Sequence, residues 1–498
     1  DEEFASILNS QELLKTCKQN KKDRILELLD QNLDIHIKEE TTLKSPLHFA
    51  CHLCDDPQII NRMIEIGADV HVKDQSLKTP LHYACLNPNK NKGIIEILLK
   101  NNAKVNCIDA IKKTPFHYAS LIEDNMPILL LLLDYKADIN ILDDSKHSLL
   151  QHECKKRHAN LEFIDMLLKH QANVNVVDDF TYKSILHDAC YFNQNPLVVK
   201  RLLEVKGIVI DAKDKNGRTP LHDACSKKHN EAIIQLLLKY GANVNEKERY
   251  NSTPLHYACS NYDVDMVSLM LSKGAHVNAA HRDKYTPLHI ASSYDKEPMV
   301  LLLLKHHANV NAQTKKRQTP LHFATQNCNK TMVSSLLDAG ASVSICDFRM
   351  YTPLHYACFL KTESTPLIRL LLDKASNPNV TTERRFHTSL LHAMCKLKRI
   401  DTVALLLDFK VNVNVLGTFS QCTPLHLACS NEYYCEPIIL LLLDHSSTLF
   451  ALDNFQKTPF HTLCHRLSSL YFLLSSRPSF IHKLFHNQSL LHIALDGF

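Results

Sequence analysis

The chain has 498 residues, of which 45% are apolar and 22% charged, which is ordinary for a folded protein and excludes a largely disordered one. Its formal charge of +4 is too small over this length to indicate binding of nucleic acid or membrane by bulk attraction. Only nine glycines are present, and neither a G-x-G-x-x-G nor a G-x-x-x-x-G-K-[ST] loop occurs. The longest apolar runs, at 128–133 and 438–443, are far shorter than the roughly 20 residues that cross a bilayer.

A four-residue motif, Thr-Pro-Leu-His or a close variant, recurs along the chain about every 34 residues. Residues 11–14 keep this register without the motif and indicate a degenerate first repeat over 1–37. So regular a period excludes independent globular domains and predicts a single solenoid over 1–498, regular over 45–488 and incomplete at 489–498. The fourteen copies begin at Ser45, Thr79, Thr114, Ser148, Ser184, Thr219, Thr253, Thr286, Thr319, Thr352, Ser389, Thr423, Thr458 and Ser489.

Each repeat is predicted to contain two short helices and a loop. In the unit that opens at Thr253, this residue can cap the first helix and Pro254 suits its first position. The second helix ends at Gly274, where glycine can take the left-handed conformation. Val277–Asn278 and a polar loop follow, which predicts a turn or a short hairpin. Because no single repeat can bury its own apolar face, the repeats must stack.

The Thr-Pro-Leu-His-x-Ala motif, the period near 33 and the Gly-Ala-x-Val-Asn ending at 241–245 resemble the ankyrin-repeat family. The resemblance implies an all-α solenoid of stacked helix-turn-helix repeats with protruding β-hairpin-like loops, which presents a groove to other proteins. The sequence departs from the family pattern in its loops, since only 214–218 carries the usual Asp-x-x-Gly turn. We therefore expect idiosyncratic loop tips.

Eleven of the 17 cysteines occupy one repeat position, where the family usually has alanine, and are predicted to be buried. Neighbouring copies on stacked helices would lie about 8 to 10 Å apart, too far for a disulfide. Buried thiols indicate a reducing, cytoplasmic compartment. The eleven are Cys17, Cys51, Cys85, Cys154, Cys190, Cys225, Cys259, Cys358, Cys395, Cys429 and Cys464.

The repeated histidines are interpreted as structural, because the resemblance implies that each bonds the motif threonine and the backbone of the adjoining unit. Two candidate metal sites are rejected. No second cysteine pair follows Cys51–Cys54, and the neighbouring side chains of His306–His307, considered together with His281, diverge by about 100°. No G-x-S-x-G, H-E-x-x-H or kinase-type motif occurs. We therefore predict no enzymatic activity, no cofactor, no metal and no small-molecule substrate.

The residue after the motif histidine forms one candidate binding column. It is aromatic in six repeats, whereas Asp188 and Asp223 occupy the same column. Because aspartate is rarely buried, we expect the column to be only partly buried and to line the concave face. The alternative is that these rings merely pack against the neighbouring loop. The aromatic members are Phe49, Tyr83, Tyr118, Tyr257, Phe323 and Tyr356, of which the last three are selected as partner-binding residues.

Five consecutive loop tips between Glu246 and Thr388 form the other candidate surface. Basic and aromatic residues interleave on them, and their formal charge is +5. This pattern predicts a docking strip for an acidic protein surface or tail, with a merely solvated edge as the alternative. The strip contains Arg249, Tyr250, Arg282, Lys284, Tyr285, Lys315, Lys316, Arg317, Arg349, Tyr351, Arg384, Arg385 and Phe386.

The sequence thus predicts a non-enzymatic cytoplasmic scaffold or adaptor that binds protein partners along its tips and groove, with a cytoskeletal-type assembly as one setting. A second hypothesis is the soluble arm of a larger membrane-channel or multidomain regulatory protein. A third is nucleic-acid binding through the basic tips, which predicts a steep salt dependence and is less favoured. No membrane insertion is predicted for this chain.

Overall fold

A computed structural model describes residues 2–193, 195–360, 364–380, 389–417, 420–430, 436–464 and 475. Over these residues the secondary structure is helical and contains no strand, and Val177 and Ser184 form an isolated antiparallel bridge. The chain divides into two compact units, Asp1–Asn243 and Val244–Phe498. The predicted all-α repeat architecture is confirmed, and the described loops are turns without strands.

The first unit contains fourteen described helices, and from α3 onward each odd-numbered helix begins at a repeat motif. They are α1 (Glu2–Lys18), α2 (Lys22–Leu29), α3 (Pro46–Leu53), α4 (Pro57–Glu65), α5 (Pro80–Cys85), α6 (Lys92–Lys100), α7 (Pro115–Ala119), α8 (Met126–Asp134), α9 (Leu149–Cys154), α10 (Leu161–Lys169), α11 (Ile185–Phe192), α12 (Pro196–Leu203), α13 (Pro220–Ser226) and α14 (Glu231–Lys239).

The second unit continues the same alternation in the part of the chain that the structure describes. Its helices are α15 (Pro254–Asn261), α16 (Val264–Ser272), α17 (Pro287–Ser293), α18 (Glu297–Lys305), α19 (Pro320–Gln326), α20 (Lys330–Asp338), α21 (Pro353–Phe359), α22 (Thr365–Asp373), α23 (Leu390–Lys396), α24 (Ile400–Asp408), α25 (Pro424–Ser430), α26 (Glu436–Asp444) and α27 (Pro459–Cys464).

At most of the described motifs, the threonine or serine and the histidine begin the first helix by a reciprocal capping arrangement. In α15, the Thr253 amide donates to His256 Nδ1 at 3.1 Å, while the Thr253 hydroxyl lies 2.9 Å from the same nitrogen. The remaining ring nitrogen, Nε2, lies 3.2 Å from the Tyr285 carbonyl in the next repeat. Because Nδ1 accepts, Nε2 carries the proton and donates. The histidine therefore ties one repeat to the next, as the resemblance implied.

Stacking of equivalent helices builds the core within each unit. First helices pack on first helices and second helices on second helices, as for α3 with α5 and α16 with α18. Ten of the eleven repeated cysteines lie in these cores and are buried, which confirms their predicted burial. Burial raises the pKa of Cys259 to about 12. The side chain of Cys464 lies outside the described residues.

The second helices end in the left-handed conformation, and an asparagine then bridges to the next repeat. Gly274 has φ of 84°, and non-glycine residues such as His307, at 62°, take the same role elsewhere. Asn245 Nδ2 donates to the Gly274 carbonyl at 2.8 Å, and its Oδ1 accepts from the His276 amide at 2.8 Å. The same bridge recurs at Asn106, Asn140, Asn175, Asn278, Asn311 and Asn414.

Candidate protein-binding surfaces

The described loop tips share one turn although their sequences differ. At the tip with the family's usual glycine, Asp214 Oδ1 accepts from two backbone amides and Gly217 has φ of 75°. At a tip without glycine, Asp347 Oδ1 accepts from the equivalent amides at 2.8 and 2.9 Å while Met350 has φ of 61°. A side-chain acceptor thus stabilises the turn both with and without glycine. The expectation of idiosyncratic tips is therefore wrong for the backbone and holds only for the side chains.

Backbone hydrogen bonds join successive tips of the second unit into a row. Each bond runs from an amide near the start of one tip to a carbonyl of the preceding tip, so four consecutive tips are aligned. The bonds link the Arg282 amide to the Tyr250 carbonyl (2.6 Å), Lys315 to Asp283 (2.9 Å) and Phe348 to Lys316 (3.0 Å). Side chains of adjacent tips therefore project from equivalent positions along one edge of the unit.

Seven cationic side chains on this row are exposed, and we refer to them as the basic strip. Tyr250 lies among them and is 50% exposed. The predicted members Arg384, Arg385 and Phe386 lie outside the described residues. The basic strip consists of Arg249, Arg282, Lys284, Lys315, Lys316, Arg317 and Arg349.

Intramolecular acidic groups neutralise little of the basic strip. Lys315 Nζ lies 3.2 Å from Asp283 Oδ1 on the preceding tip, and this contact lowers the pKa of Asp283. Both side chains are more than half exposed, so solvent weakens the pair. Within the residues described, no ion pair engages Lys316 or Arg317. The Arg349 guanidinium lies 5.1 Å from the Phe348 ring centre, an interaction that preserves its positive charge.

The expectation that the candidate column is only partly buried is wrong at its two aspartates. Asp188 and Asp223 are 2% and 0% exposed. Asp223 Oδ2 accepts from Lys183 Nζ at 2.9 Å, and Oδ1 forms an ion pair with the Arg218 guanidinium at 3.0 Å, so nearby cations compensate its charge. Asp188 accepts from the Gln151 amide at 3.0 Å. A repeat position that holds aspartate can therefore be buried where nearby lysine or arginine side chains compensate the charge.

Several aromatic members of the column contact the tip that precedes their own helix through their hydroxyl groups. The Tyr83 hydroxyl donates to Asp74 Oδ2 at 2.7 Å, and Tyr118 bonds Asp109 in the same way. The Tyr356 hydroxyl donates to Asp347 at 3.0 Å, and its pKa is raised to about 12, chiefly by burial. These contacts fit the alternative in which the rings pack against the loop.

In the second unit, predicted tip residues and predicted column residues contact one another. Tyr285 stacks on His281 with ring centres 5.1 Å apart and lies 5.6 Å from Phe323. Tyr351 stacks on His355 and meets the edge of Tyr356 at 6.3 Å. Tyr285 and Tyr351 are therefore half-buried supports of the inner surface, whereas Tyr250 is exposed. Tyr257 and Tyr356 are half-buried, and Phe323 is buried.

Sequence reasoning missed a polar cluster in the first unit. Asp143, His147 and His152 each place one potential metal-ligand atom within 4.8 Å of the others. The signal was the irregular repeat that opens at Ser148, where Gln151 takes the motif histidine position and His152 follows it. His147 also stands where neighbouring repeats have lysine, for example Lys113.

Comparison with known families agrees with this geometry. The family model described as "Ankyrin repeats (3 copies)" matches residues 13–109, 47–143, 150–248, 245–314, 306–382 and 354–453. The chain belongs to the ankyrin-repeat family. Ankyrin repeats are generally protein–protein interaction modules. A search of curated proteins found no significant match. Among the helices described for this ankyrin-repeat chain, none is both long and apolar enough to cross a membrane.

Proposed function

We propose that this ankyrin-repeat chain is a non-enzymatic scaffold that binds an acidic segment of a protein partner along the basic strip. The observation that carries the proposal is the row of four tips, which is aligned by backbone hydrogen bonds and presents seven exposed cations. Each exposed ion pair contributes only about 0 to 1 kcal/mol, so recognition depends on several contacts made together. A row of cations suits an extended acidic tail or an acidic ridge.

The expected contributions of charge and aromatic contact differ. Long-range attraction by the basic strip accelerates the encounter with an acidic partner, and salt weakens this attraction beyond about 8 Å. Tyr250 offers an exposed ring within the strip, and tyrosine is enriched among residues that dominate binding energy. We therefore assign steering to the cations and slow dissociation to Tyr250.

We place the scaffold in the cytoplasm, because the buried thiols of the repeat cores suit a reducing compartment. About fifteen repeats along the chain suit an adaptor within a large assembly, of which the cytoskeleton is one example. The ankyrin-repeat match supports the protein-binding part of this proposal, since such repeats generally bind other proteins.

Reversal of charge at the central tip tests the basic strip. A variant with Lys315→Glu, Lys316→Glu and Arg317→Glu changes the formal charge by six units at exposed positions. We expect a fluorescein-labelled Glu-rich peptide to associate at least about tenfold more slowly with this variant in stopped-flow measurements. Tyr250→Ala should instead accelerate dissociation.

A matched control carries the same charge change on first-unit tips, through Lys112→Glu, Lys146→Glu and Lys215→Glu, all of which are exposed. It should bind the peptide nearly as the unmodified chain does. If both triple variants slowed association equally, the basic strip would be only a solvated edge without a specific role in binding. Tighter binding of a single-stranded oligonucleotide of equal charge, with a steep salt slope, would favour nucleic acid as the partner.

A further inference from the structure

The repeat that opens at Ser148 lacks the histidine hydrogen bond by which other repeats are joined to the next one. Its motif histidine is replaced by Gln151, whose amide donates to Asp188 and not to a carbonyl of the next tip. In the preceding repeat, His117 Nε2 is buried and has no hydrogen-bond partner among the described residues. The stacking contacts that recur elsewhere are therefore incomplete on both sides of this repeat.

Two histidines and an aspartate converge at this irregular position. His152 Nε2 lies 2.7 Å from Asp143 Oδ2, where Tyr83 and Tyr118 of neighbouring repeats place a hydroxyl on their own tip aspartates. The rings of His147 and His152 have centres 5.4 Å apart. Asp143 and His147 are largely buried, whereas the His152 side chain is 42% exposed and opens the cluster to solvent.

We propose that Asp143, His147 and His152 bind a divalent first-row transition metal ion, with Zn²⁺ as the best chemical match. Two imidazoles and one carboxylate suit Zn²⁺, Co²⁺ or Ni²⁺, whereas Ca²⁺ and Mg²⁺ prefer sets of oxygen ligands. The three potential ligand atoms lie within 4.8 Å of one another, close enough for small side-chain rotations to bring them around one ion. Water from the exposed side completes a tetrahedral shell.

Neighbouring charges support and limit this site. Asp178 Oδ2 lies 2.7 Å from His147 Nε2, so a second carboxylate is available to complete or orient the ligand set. Lys155 Nζ lies 2.8 Å from the same nitrogen and must move when a metal binds. The lysine has an alternative partner, since its ammonium already lies 3.7 Å from the buried Asp188 carboxylate. Metal binding at this nitrogen therefore displaces both Lys155 and the Asp178 contact, in addition to the side-chain rotations that bring the ligands together.

The bound metal would link the tip of this repeat to its first helix. Asp143 and His147 belong to the tip and His152 to α9, while Asp178, bonded to His147, belongs to the next tip. A metal held by the first three residues would fix the tip on its own helix and orient His147 toward the following repeat. The inference concerns a site in the first unit and does not depend on the proposed function of the basic strip.

The chain offers two ligand variants that restore residues used by its other repeats. His152→Tyr recreates the ring of Tyr83 and Tyr118, and His147→Lys recreates the lysine found at Lys78 and Lys113. Each variant removes one ligand while keeping a side chain that the fold accepts at this position. His170→Ala is the matched control, because it removes an exposed histidine at the end of α10.

The experiment titrates chelator-treated full-length protein with Zn²⁺ by calorimetry and with Co²⁺ by absorption. We expect one Zn²⁺ per chain with a dissociation constant of about 1 µM or lower, and about 100-fold or greater loss of affinity in His152→Tyr and His147→Lys. The Co²⁺ complex should show visible ligand-field bands without the near-ultraviolet band of thiolate coordination. His170→Ala should bind as the unmodified chain does.

Three results would overturn the proposal. These are the absence of Zn²⁺ binding at about 100 µM, equal affinities in the unmodified chain and both ligand variants, and a thiolate band that persists in His152→Tyr. Circular dichroism establishes that each variant keeps its helices. If one variant unfolds, the other decides the outcome, because each removes a different ligand.

Discussion

The two units satisfy equivalent repeat positions with different chemistry. In the first unit, the residue before the motif is lysine or arginine at every copy except His147, and Lys78 faces the Tyr118 ring while Lys183 faces the Asp223 carboxylate. In the second unit, the residue at this position varies, and in two repeats it is Tyr285 or Tyr351, which stack on other rings. The repeat therefore keeps the same backbone, whereas the contacts of this position are charged in some repeats and aromatic in others. Each unit contributes three aromatic members to the column, and the exposed basic strip lies in the second.

Mild acid should cause the largest loss of stability, and it tests the buried motif histidines that both units share. Burial lowers the pKa of His82 in the first unit and of His289 in the second to about 4, against about 6.5 for an exposed histidine. A depressed pKa means that the unfolded chain binds the proton more readily, so stability is complete above pH 6.5 and falls between pH 6.5 and 4. Each such histidine contributes about 3 kcal/mol at most. Fluorescence and circular dichroism melts against pH should show both units weakening in this window.

Unchanged melting between pH 7 and 4.5 would contradict the neutral histidine bridges. His289→Asn tests this link in one repeat, because an amide keeps a hydrogen-bonding group without titrating in this range. We expect the variant to be less stable at pH 7 and to lose less stability on acidification.

Removal of the buried Asp223 carboxylate should distinguish the stability of the first unit from that of the second most clearly. Asp223→Ala removes the group that Lys183 and Arg218 both contact, and breaking a buried ion pair typically costs about 3 to 5 kcal/mol. Hydrogen exchange should increase in α11 and α13, which pack together. Asp223→Tyr should recover part of this loss, since a ring under a lysine is the arrangement at Tyr118. A fully stable Asp223→Ala variant would contradict charge compensation as the basis of the first-unit column.

An apolar deletion in the second unit provides the counterpart. Leu288 is fully buried in α17, and Leu288→Ala should cost about 2 to 5 kcal/mol. Since repeats contact mainly their neighbours, hydrogen exchange should increase mostly between residues 253 and 327. Unlike Asp223→Ala, this variant should show no added salt dependence. An equal increase in exchange along the whole chain would contradict stacking of neighbours only.

The sequence predicted the repeated features and missed those that depend on pairs in different repeats. Thr253, Pro254 and Gly274 predicted helix boundaries, because capping and left-handed conformations are local properties. The partners Lys183 and Asp223 are 40 residues apart, so their pairing is visible only once the stacking register is known. The exposure of the basic tips was predictable, since loop tips are solvated. The packing of Tyr285 on His281 and Phe323 was not, because three elements must be placed before these rings meet.

Neutralising a cation that lies over a ring should have the smallest effect. Lys78 Nζ lies 4.7 Å from the Tyr118 ring centre and 5.9 Å from that of Tyr83. Lys78→Met keeps an unbranched side chain over both rings but removes the charge, so the loss should be about 0.5 to 1 kcal/mol. At the equivalent position of the second unit, Gln318 Nε2 donates to the Tyr356 hydroxyl at 2.9 Å. Gln318→Met should cost a similar amount through this lost hydrogen bond.

Salt distinguishes these two small losses. Screening weakens the cation in the unmodified first unit, so the difference between the unmodified chain and Lys78→Met should shrink in 1 M NaCl. The loss in Gln318→Met should stay nearly constant, because a bond between neutral groups is little affected by screening. Urea melts at low and high salt, followed by hydrogen exchange at α5 and α21, measure both. If the two variants respond to salt alike, the lysine contributes through its apolar stem alone, and the units differ less in chemistry than their contacts indicate.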